Sequence, residues 1–391
     1  MDFLGRYYTQ ELFSNLLIDQ FNSRAPSTVL DLGAGGGSLI KAASQRWQNA
    51  DFYAADIDKN SIKKINKELP FVKIINADSL NKNIAKKLEL KVDSVDIAVC
   101  NPPYLKLEDK RNYFSLFEEA DLENCKNLKK VTSDIIFLAQ NLRMLKKDGE
   151  LGIILPDSLL TGHDFKILRE SILSKHSIRG IIELPENIFS KTEARTHILL
   201  IEKGCSAEIK TQLYISNKEG QCYDQIEVST NSLGKRMDFT FHKWNQKREK
   251  TKSFKTLTEL GCEIKRGIQT HAELKVQNKA FVHTTNLNTG TAVSFLKPVK
   301  YKNKKLVFAE VGDIILARVG RGCIGKVSMV KRGRGLLSDC VYRIRVPKLY
   351  RHIVLDALTN KTGQAWLKAN SHGVCAKVIS KADLLQFPIQ L

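Results

Sequence analysis

The fold class of the chain follows from residues 27–37, which read STVLDLGAGGG. Residues 27–32 form a short, largely apolar run that predicts a buried β-strand, and the glycine-rich residues 33–37 close it. Glycines at that point permit a tight turn and allow a ligand to approach the backbone closely. A helix is predicted to follow, through about Trp47. A strand, a glycine turn and a helix in this order predict an α/β fold with a ligand site at the turn.

The alternation of strands and helices continues along the chain. Apolar runs predict further strands at residues 52–56, 72–76, 95–100, 149–155, about 178–184 and 196–202. Helical patterns separate many of these runs, at residues 61–69, about 133–145 and 164–173. This order predicts a doubly wound, Rossmann-like, mostly parallel sheet.

The charge of the chain is divided unevenly. The 391 residues carry a net charge of +20, and all of it comes from residues 241–391, which hold 29 Lys and Arg against 9 Asp and Glu. We therefore predict two domains, at residues 1–240 and 241–391. The second is rich in glycine and β-branched residues, which predicts a basic, β-rich (α+β) domain with helices near residues 350–369. The pattern of residues 205–255 is polar and mixed.

A one-sided charge surplus of this size predicts a polyanionic partner. Nucleic acid is favoured because phosphate contacts supply most of the non-specific affinity of such proteins. An anionic membrane surface is the weaker alternative, since the sequence contains no basic amphipathic helix with bulky apolar anchors.

Several other classes of protein are disfavoured. The longest apolar runs, such as residues 151–155, are too short to span a bilayer, and no apolar leader opens the chain, so we expect a cytoplasmic protein without a membrane partner. No two of the eight cysteines are three positions apart, which argues against a zinc ribbon or a thioredoxin-like pair. We therefore expect reduced cysteines and no metal.

An acidic residue follows the glycine turn at a diagnostic distance. Asp56 ends the predicted second strand, 19 residues beyond Gly37. A carboxylate about 20 residues after such a turn binds ribose hydroxyls in nucleotide-binding folds. The turn and Asp56 predict a nucleoside-containing cofactor, but they do not separate a dinucleotide from S-adenosylmethionine.

The tetrapeptide Asn101-Pro102-Pro103-Tyr104 directly follows the predicted strand at residues 95–100. It would lie at the carboxyl edge of the sheet, where open α/β sheets bind their ligands. Two prolines restrict the backbone, so the Asn101 amide oxygen and the Pro102 carbonyl can point at one position. Two acceptors of this kind suit a planar amino group, and Tyr104 adds an aromatic face for stacking. The tetrapeptide therefore favours S-adenosylmethionine as the cofactor.

These motifs resemble those of S-adenosylmethionine-dependent amino-methyltransferases, and the Asn-Pro-Pro-Tyr form is typical of enzymes that methylate N6 of adenine in DNA. Residues 5–10, ahead of the glycine turn, are similar to the motif that covers the methionine end of the cofactor, with Gln10 where the family often has proline. This order is that of the gamma class, in which the target recognition domain comes last.

The resemblance implies roles for individual residues. Asn101 and Pro102 would bind the target amino group, with Pro103 holding the backbone and Tyr104 stacked on a base that is flipped out of the duplex. Phe189, in a segment similar to a late family motif, would stack on the other face, or else it is a core residue. The residues implied in cofactor binding are Tyr8, Thr9, Asp31, Gly33, Ala34, Gly35, Asp56, Ile57, Asp78 and Asn101.

The basic half carries a second resemblance. Residues 312–330 and 371–389 are similar to parts of target recognition domains in type I restriction specificity subunits. The resemblance and the charge together imply double-stranded DNA as the partner, with a separate restriction endonuclease as a further expected partner. The candidate DNA-facing side chains are Arg318, Arg321, Lys326, Lys331, Arg332 and Arg334.

The sequence thus predicts a site-specific DNA adenine-N6 methyltransferase. An enzyme that methylates adenine N6 or guanine N2 in RNA is the alternative, because phosphate attraction does not separate RNA from DNA. A release-factor glutamine methyltransferase is disfavoured because a protein substrate gives no reason for the basic half. A DNA-binding scaffold with an inactive methyltransferase fold is also disfavoured, since the glycine turn and the tetrapeptide are intact.

Overall fold

The computed structural model describes residues 9–107, 113–186, 188, 195–204, 210–249, 254–277, 280–295, 305–320, 322–373 and 377–391. The chain divides into two compact units, Met1–His242 and Lys243–Leu391. The helix Phe239–Glu249 contains the division.

The first unit is built on one large sheet. Its strands are β1 (Thr28–Leu32), β2 (Asp51–Asp56), β3 (Lys73–Asn76), β4 (Val95–Cys100), β5 (Leu145–Pro156), β6 (Ser177–Glu183), β7 (Thr196–Glu202), β8 (Lys210–Ser216) and β9 (Cys222–Ser229). Its helices are α1 (Glu11–Asp19), α2 (Ser38–Arg46), α3 (Lys59–Glu68), α4 (Ile84–Lys87), α5 (Phe114–Glu119), α6 (Ser133–Met144), α7 (Asp157–Thr161), α8 (Lys166–Lys175), α9 (Thr230–Leu233) and α10 (Phe239–Glu249).

The strands of this sheet lie in the order β3-β2-β1-β4-β5-β7-β6-β8-β9. Neighbours from β3 to β5 are parallel, as are β6 and β8, whereas β7 is antiparallel to both β5 and β6. The predicted doubly wound α/β class is confirmed. Because β1, β2 and β4 are parallel neighbours of one sheet, their carboxyl ends meet at one edge, where Leu32, Asp56 and Cys100 end them.

Both faces of the sheet are buried. Alternate residues of one strand point to opposite faces, so Val29 and Ile97 enter one core while Leu30 and Ala98 enter the other. Helices α1, α2 and α3 contribute to the first core, and α5, α6 and α8 to the second. All twelve residues of α6 are buried, so this helix is covered on every side.

The hairpin of β8 and β9 was not predicted from the sequence. It extends the sheet at the end opposite β3, and its strands pair in antiparallel fashion. In β9 only alternate residues near its end, Ile226 and Val228, are buried and apolar. Half-buried strands of this kind have a polar sequence, which explains why the pattern of residues 205–255 is polar and mixed.

The second unit is rich in short strands, as predicted. Its strands are β10 (Phe254–Thr256), β11 (Glu263–Arg266), β12 (Phe281–Val282), β13 (Thr291–Ser294), β14 (Phe308–Glu310), β15 (Ile314–Ala317), β16 (Val319–Gly320), β17 (Val327–Arg332), β18 (Arg334–Leu337), β19 (Val341–Arg345), β20 (Lys377–Val378) and β21 (Pro388–Gln390). Its helices are α11 (His271–Val276), α12 (Arg351–Thr359), α13 (Lys361–Ala369) and α14 (Lys381–Leu385). The largest sheet has the order β11-β19-β15-β17-β13.

Candidate active site

The glycine turn after β1 lies against the end of β2. The backbone N–H of Gly33 donates to the Ala55 carbonyl at 2.8 Å, which holds the turn on the neighbouring strand. Gly33 has a φ of +75°, and a Cβ atom there would lie 2.9 Å from the Phe137 ring. Glycine is required at this position because the backbone has a positive φ and because the Phe137 ring of α6 leaves no room for a side chain.

A cavity opens above the turn, with about 920 Å³ of empty space, part of it open to solvent. Nine of the ten residues predicted to bind the cofactor line it: Thr9, Asp31, Gly33, Ala34, Gly35, Asp56, Ile57, Asp78 and Asn101. Tyr8, the tenth, lies outside the described residues.

The carboxylate of Asp56 is tied to the backbone around it. One oxygen accepts from the Gly35 N–H and the other accepts from the Asp58 N–H, both at 2.7 Å. The sequence suggested only a ribose-binding role, but here the carboxylate also fixes the conformation of the glycine turn. Each oxygen retains acceptor capacity for a further hydrogen bond.

Asp31 differs from Asp56 in its surroundings. It is 1% exposed, and neither carboxylate oxygen has a hydrogen-bond partner among the described residues. Burial, with a smaller contribution from the nearby charge of Asp56, raises the pKa of Asp31 to about 8. A buried carboxylate without a partner on the wall of a cavity has chemistry that suits a cationic group of a ligand.

Ile57 and Asp78 also line the cavity. The side chain of Ile57 is 56% exposed, which is unusual for an isoleucine and leaves an apolar surface at the cavity. One Asp78 carboxylate oxygen accepts from the Leu80 N–H at 2.9 Å, which orients the side chain. An apolar surface beside an oriented carboxylate matches the needs of an adenine ring with its amino group.

The tetrapeptide after β4 supplies Asn101 and Pro103 to the same cavity. The Asn101 amide nitrogen donates to the Thr9 hydroxyl oxygen at 2.9 Å. The Tyr104 hydroxyl lies 3.3 Å from the Asn101 amide oxygen and 3.3 Å from the Ile154 carbonyl of β5, so it can donate to either. The asparagine predicted to bind the target amino group is therefore flanked by two hydroxyls.

Helix α6 fixes the tetrapeptide from below, which the sequence did not indicate. The hydroxyl of Ser133, the first residue of α6, donates to the Pro103 carbonyl and accepts from the Leu105 N–H. The Ser133 backbone N–H in turn donates to the Leu105 carbonyl at 3.0 Å. The further cavity residues that sequence reasoning did not single out are Ser38, Leu39, Ser79, Leu80, Leu105, Ser133 and Phe137.

The N-terminal segment reaches the late motif at residues 184–189. The Gln10 side chain donates to the Ile188 carbonyl at 2.7 Å, a bond that the proline typical of the related family could not form. Phe189, predicted to stack on the target base, lies outside the described residues.

The basic residues predicted to face DNA fall at two ends of β17. Arg318 follows β15, whose Ala317 N–H donates to the Lys326 carbonyl just before β17, so these two residues lie at one end. Lys331 and Arg332 close β17 at the other end, roughly 15 Å away for a strand of this length. Arg334 begins β18 on that side. Arg321 lies outside the described residues.

The two ends differ in how their arginines are engaged. Arg334 donates to the Glu310 carboxylate at 2.9 Å, and its guanidinium lies 3.8 Å from the centre of the Phe308 ring. Arg318 donates to the backbone carbonyl of Asp339 at 3.3 Å and lies over the Tyr342 ring at 5.5 Å. Arg334 therefore has its charge balanced by a carboxylate, whereas Arg318 is held by neutral groups.

The described residues contain neither a membrane-spanning helix nor a cluster of metal ligands. Across the part of the chain that the structure describes, no helix combines the length and apolar character needed to cross a bilayer. The same ranges contain no cluster of three or more His, Cys, Asp or Glu side chains placed to ligate a metal ion.

Known proteins with similar sequences include methyltransferases of type I and type II restriction systems. The methylase subunit of the type I restriction enzyme EcoEI from Escherichia coli is 22% identical over 224 residues, which cover 51% of this chain and 43% of that protein. The type II methyltransferase M.PstI from Providencia stuartii is 27% identical over 201 residues, covering 46% and 38% of the two chains. The chain spans less than half the length of the curated relatives it matches.

A solved structure with a similar fold is the methyltransferase subunit of a type I restriction-modification system from Streptococcus thermophilus. Its TM-score is 0.45 at 18% sequence identity, and the similarity covers 64% of this chain and 55% of that one.

The sequence model of the N-6 DNA Methylase family matches residues 2–266, more than half of the chain. The matched region includes the glycine turn, the acidic residues beside it and the tetrapeptide that brings Asn101 and Pro103 to the cavity. The predicted resemblance to adenine-N6 DNA methyltransferases is thereby confirmed: the chain belongs to the N-6 DNA methylase family.

Proposed function

We propose that the protein transfers a methyl group from S-adenosylmethionine to the N6 amino group of adenine in double-stranded DNA, at a specific site. The proposal rests on one observation. Asp31 of β1 and Asn101, which follows β4, line the same cavity at the ends of these two strands. Membership of the N-6 DNA methylase family supports DNA over RNA as the substrate.

The residues of the cavity fit this cofactor. The unpartnered Asp31 carboxylate suits a cationic group, and S-adenosylmethionine carries an ammonium and a sulfonium. Asp56 would bind the ribose, Ile57 would pack on the adenine ring and Asp78 would accept from its amino group. The glycine turn would admit the ligand close to the backbone. When bound, the cofactor supplies an electrophilic methyl group.

The tetrapeptide would activate the target nitrogen. The Asn101 amide oxygen and the Pro102 carbonyl would accept its two N–H groups, which draws the nitrogen lone pair out of conjugation with the ring and orients it. This chemistry requires neither a covalent enzyme intermediate nor a strong general base, since the proton of the methylated nitrogen can leave to solvent.

The target adenine must leave the duplex before its amino group can reach Asn101. Flipping a base costs a few kcal/mol of stacking and pairing. Stacking on Tyr104, and on Phe189 from the other side, would offset about 1–3 kcal/mol per base.

We assign the target recognition role to residues 241–391, in the order of the gamma class, with the catalytic domain at residues 1–240. The net charge of +20 in the second part suits contacts to phosphates. A cytoplasmic protein that acts beside a separate restriction endonuclease would be consistent with relatives from restriction-modification systems.

The test follows tritiated methyl groups from S-adenosylmethionine into unmethylated plasmid DNA and identifies the modified nucleoside. We expect N6-methyladenine from the full chain. Asn101→Ala should abolish transfer and leave cofactor affinity, measured by calorimetry, nearly unchanged. A product of 5-methylcytosine or N4-methylcytosine, or label in RNA alone, would overturn the proposal.

A further inference from the structure

Three residues of α6 contact three of the loops that line the cavity. Ser133 donates to a backbone carbonyl of the tetrapeptide, and the ring of Phe137 packs against Gly33 of the glycine turn. Gln140 donates to two backbone carbonyls of the loop after β3, residues 77–82. The three residues have i, i+4 and i+7 spacing, which places them on one face of the helix. This face of α6 therefore helps to fix the three loops relative to one another.

Gln140 is buried, and hydrogen bonds set the direction of its amide. Its nitrogen donates to the Ser79 carbonyl at 3.1 Å and to the Asn81 carbonyl at 3.0 Å. Its oxygen accepts from Arg143 Nη1 at 3.2 Å, and the same nitrogen of Arg143 donates to the Lys82 carbonyl at 2.8 Å. Gln140 is 0% exposed, so water does not readily replace it as a donor. The side chain thus connects α6 to the loop after β3.

The loop after β3 contributes four residues to the wall of the cavity. One of them is Asp78, which we propose accepts from the adenine amino group of the cofactor. Within the loop, the Leu80 N–H donates to the Asp78 carboxylate at 2.9 Å and the Asn81 N–H donates to the Asp78 carbonyl at 3.1 Å. Because these bonds maintain the shape of the loop, a contact that holds Asn81 in place also holds Asp78. The position of the Asp78 carboxylate therefore depends on Gln140.

We propose that Gln140 is a positioning residue for the recognition of adenine by Asp78, acting through the backbone of the loop after β3; this inference rests on the proposed function. A carboxylate distinguishes adenine from a purine that carries a carbonyl oxygen in place of the amino group, because only the amino group can donate to it. This discrimination requires the acceptor to lie at hydrogen-bond distance from one position of the ligand. Loss of the Gln140 donor should therefore reduce the preference for adenine.

The experiment compares Gln140→Met with wild type in the full chain. Calorimetry measures the Kd for S-adenosylhomocysteine and for S-inosylhomocysteine, in which a carbonyl oxygen replaces the amino group of the purine. We expect wild type to bind the adenine form more tightly. Gln140→Met should reduce this preference by about tenfold, mainly through weaker binding of S-adenosylhomocysteine, since methionine has a similar length but cannot donate to the loop carbonyls.

Gln140→Glu is a second variant that removes the same donor without placing an apolar side chain among polar groups. Glutamate keeps the length of the side chain and can pair with Arg143, but an ionised carboxylate accepts hydrogen bonds and cannot donate them. It should reduce the preference for adenine at least as much as Gln140→Met. If the methionine variant does not fold, this variant gives the result.

Thr211→Val is the matched control, because it also removes a buried hydrogen bond of the first unit. The Thr211 hydroxyl donates to the Ile178 carbonyl at 3.3 Å, and six strands of the sheet separate its strand β8 from β3. Thr211→Val should keep the wild-type preference for S-adenosylhomocysteine. An equal loss of preference in this control would contradict the inference.

The two ligands separate this inference from the proposed function. A wild type that binds neither ligand contradicts the proposed function, and one that binds both equally contradicts the role of Asp78. If wild type prefers S-adenosylhomocysteine and both Gln140 variants keep that preference, the inference alone is wrong. The inference is also wrong if the variants lose affinity for the two ligands by the same factor, because Gln140 then contributes only to the stability of the fold.

Discussion

The hydroxyl of Tyr104 lies 3.3 Å from the amide oxygen of Asn101, the atom that we propose accepts from the target amino group. Sequence reasoning assigned Tyr104 a stacking role only. Because the Ile154 carbonyl is equally close, the Tyr104 proton has a second acceptor when substrate takes the Asn101 oxygen. Substrate can therefore replace this hydrogen bond without leaving the hydroxyl unpaired.

Tyr104→Phe should keep turnover within a few-fold of wild type. The ring remains for stacking, and Thr9 still holds the Asn101 nitrogen. Tyr104→Ala removes the ring, and the loss of about 1–3 kcal/mol of stacking should lower turnover by roughly 5- to 150-fold. Both values come from initial rates of methyl transfer into plasmid DNA. Equal losses in the two variants would show that the hydroxyl, not the ring, carries the effect.

Cofactor binding should release protons because of Asp31. Its pKa of about 8 leaves most molecules protonated at pH 7, and a cationic ligand group beside it favours the ionised form. Calorimetry at pH 7 in two buffers of different ionisation enthalpy should detect the release of up to one proton per S-adenosylmethionine bound. Asp31→Asn should bind the cofactor more weakly and lack this release. Identical buffer dependence in both proteins would contradict the assignment.

The same residue sets a pH dependence of stability in the cofactor-free protein. In the unfolded chain Asp31 ionises near its ordinary pKa of 3.8, whereas in the folded chain it keeps its proton up to about pH 8. The unfolded state binds fewer protons between these values, so Asp31 lowers the free energy of unfolding as pH rises from about 4 to about 8. Urea unfolding at several pH values should show a shallower decline for Asp31→Asn than for wild type.

Gly33→Ala should destabilise the protein and weaken cofactor binding. The added methyl group meets the Phe137 ring at 2.9 Å, at a φ of +75° that disfavours alanine. We expect a loss of about 1–3 kcal/mol in the free energy of unfolding. Gly261→Ala is the control, because Gly261 has a φ of +70° and no neighbour within 4 Å of the added atom. Equal losses in the two variants would exclude the clash as the cause.

Ser133→Ala should lower turnover by removing the hydroxyl that holds the tetrapeptide. The Pro103 carbonyl and the Leu105 N–H would lose a partner, at a cost of about 1–3 kcal/mol in the free energy of unfolding. Ser177→Ala is the matched control, since the buried Ser177 hydroxyl has no partner among the residues described. Urea unfolding and methyl transfer rates measure the two effects. A loss in the control as large as that in Ser133→Ala would contradict this explanation.

Arg318→Ala should weaken binding to duplex DNA and reduce the slope of log K against log salt by about 0.9, the effect of one phosphate contact. Arg334→Ala should change that slope less, because the Arg334 charge is already paired with Glu310. Fluorescence anisotropy of a labelled duplex at several salt concentrations measures both. A larger change for Arg334→Ala would indicate that the end of β17 near Arg334, and not the end near Arg318, contacts the phosphates.

The sequence predicted the strands that lie inside the large sheet. The runs that became β1 and β4 are largely apolar because both faces of these strands are buried, and the motifs of the cavity directly follow such runs. The hairpin of β8 and β9 was missed because only part of each strand contributes apolar side chains.

The site residues that the sequence did not predict were missed for a different reason. Ser133 and Phe137 come from α6, about thirty residues beyond the tetrapeptide, and their role depends on where that helix packs. No local pattern shows that a serine at the start of a helix will hold a loop, or that a phenylalanine one turn later will lie beneath a glycine. Such contacts follow from tertiary packing and not from local propensity.

The use of α6 as the floor of the cavity has a consequence for protein synthesis. Residues 31–35, 56–57, 77–80 and 101–105 reach the ribosomal exit before Phe137, yet the wall they form is incomplete without that ring. A nascent chain that ends before Phe137 has all the glycine-turn residues but lacks that part of the cavity wall. We therefore expect S-adenosylmethionine to stabilise the folding chain only after α6 has emerged.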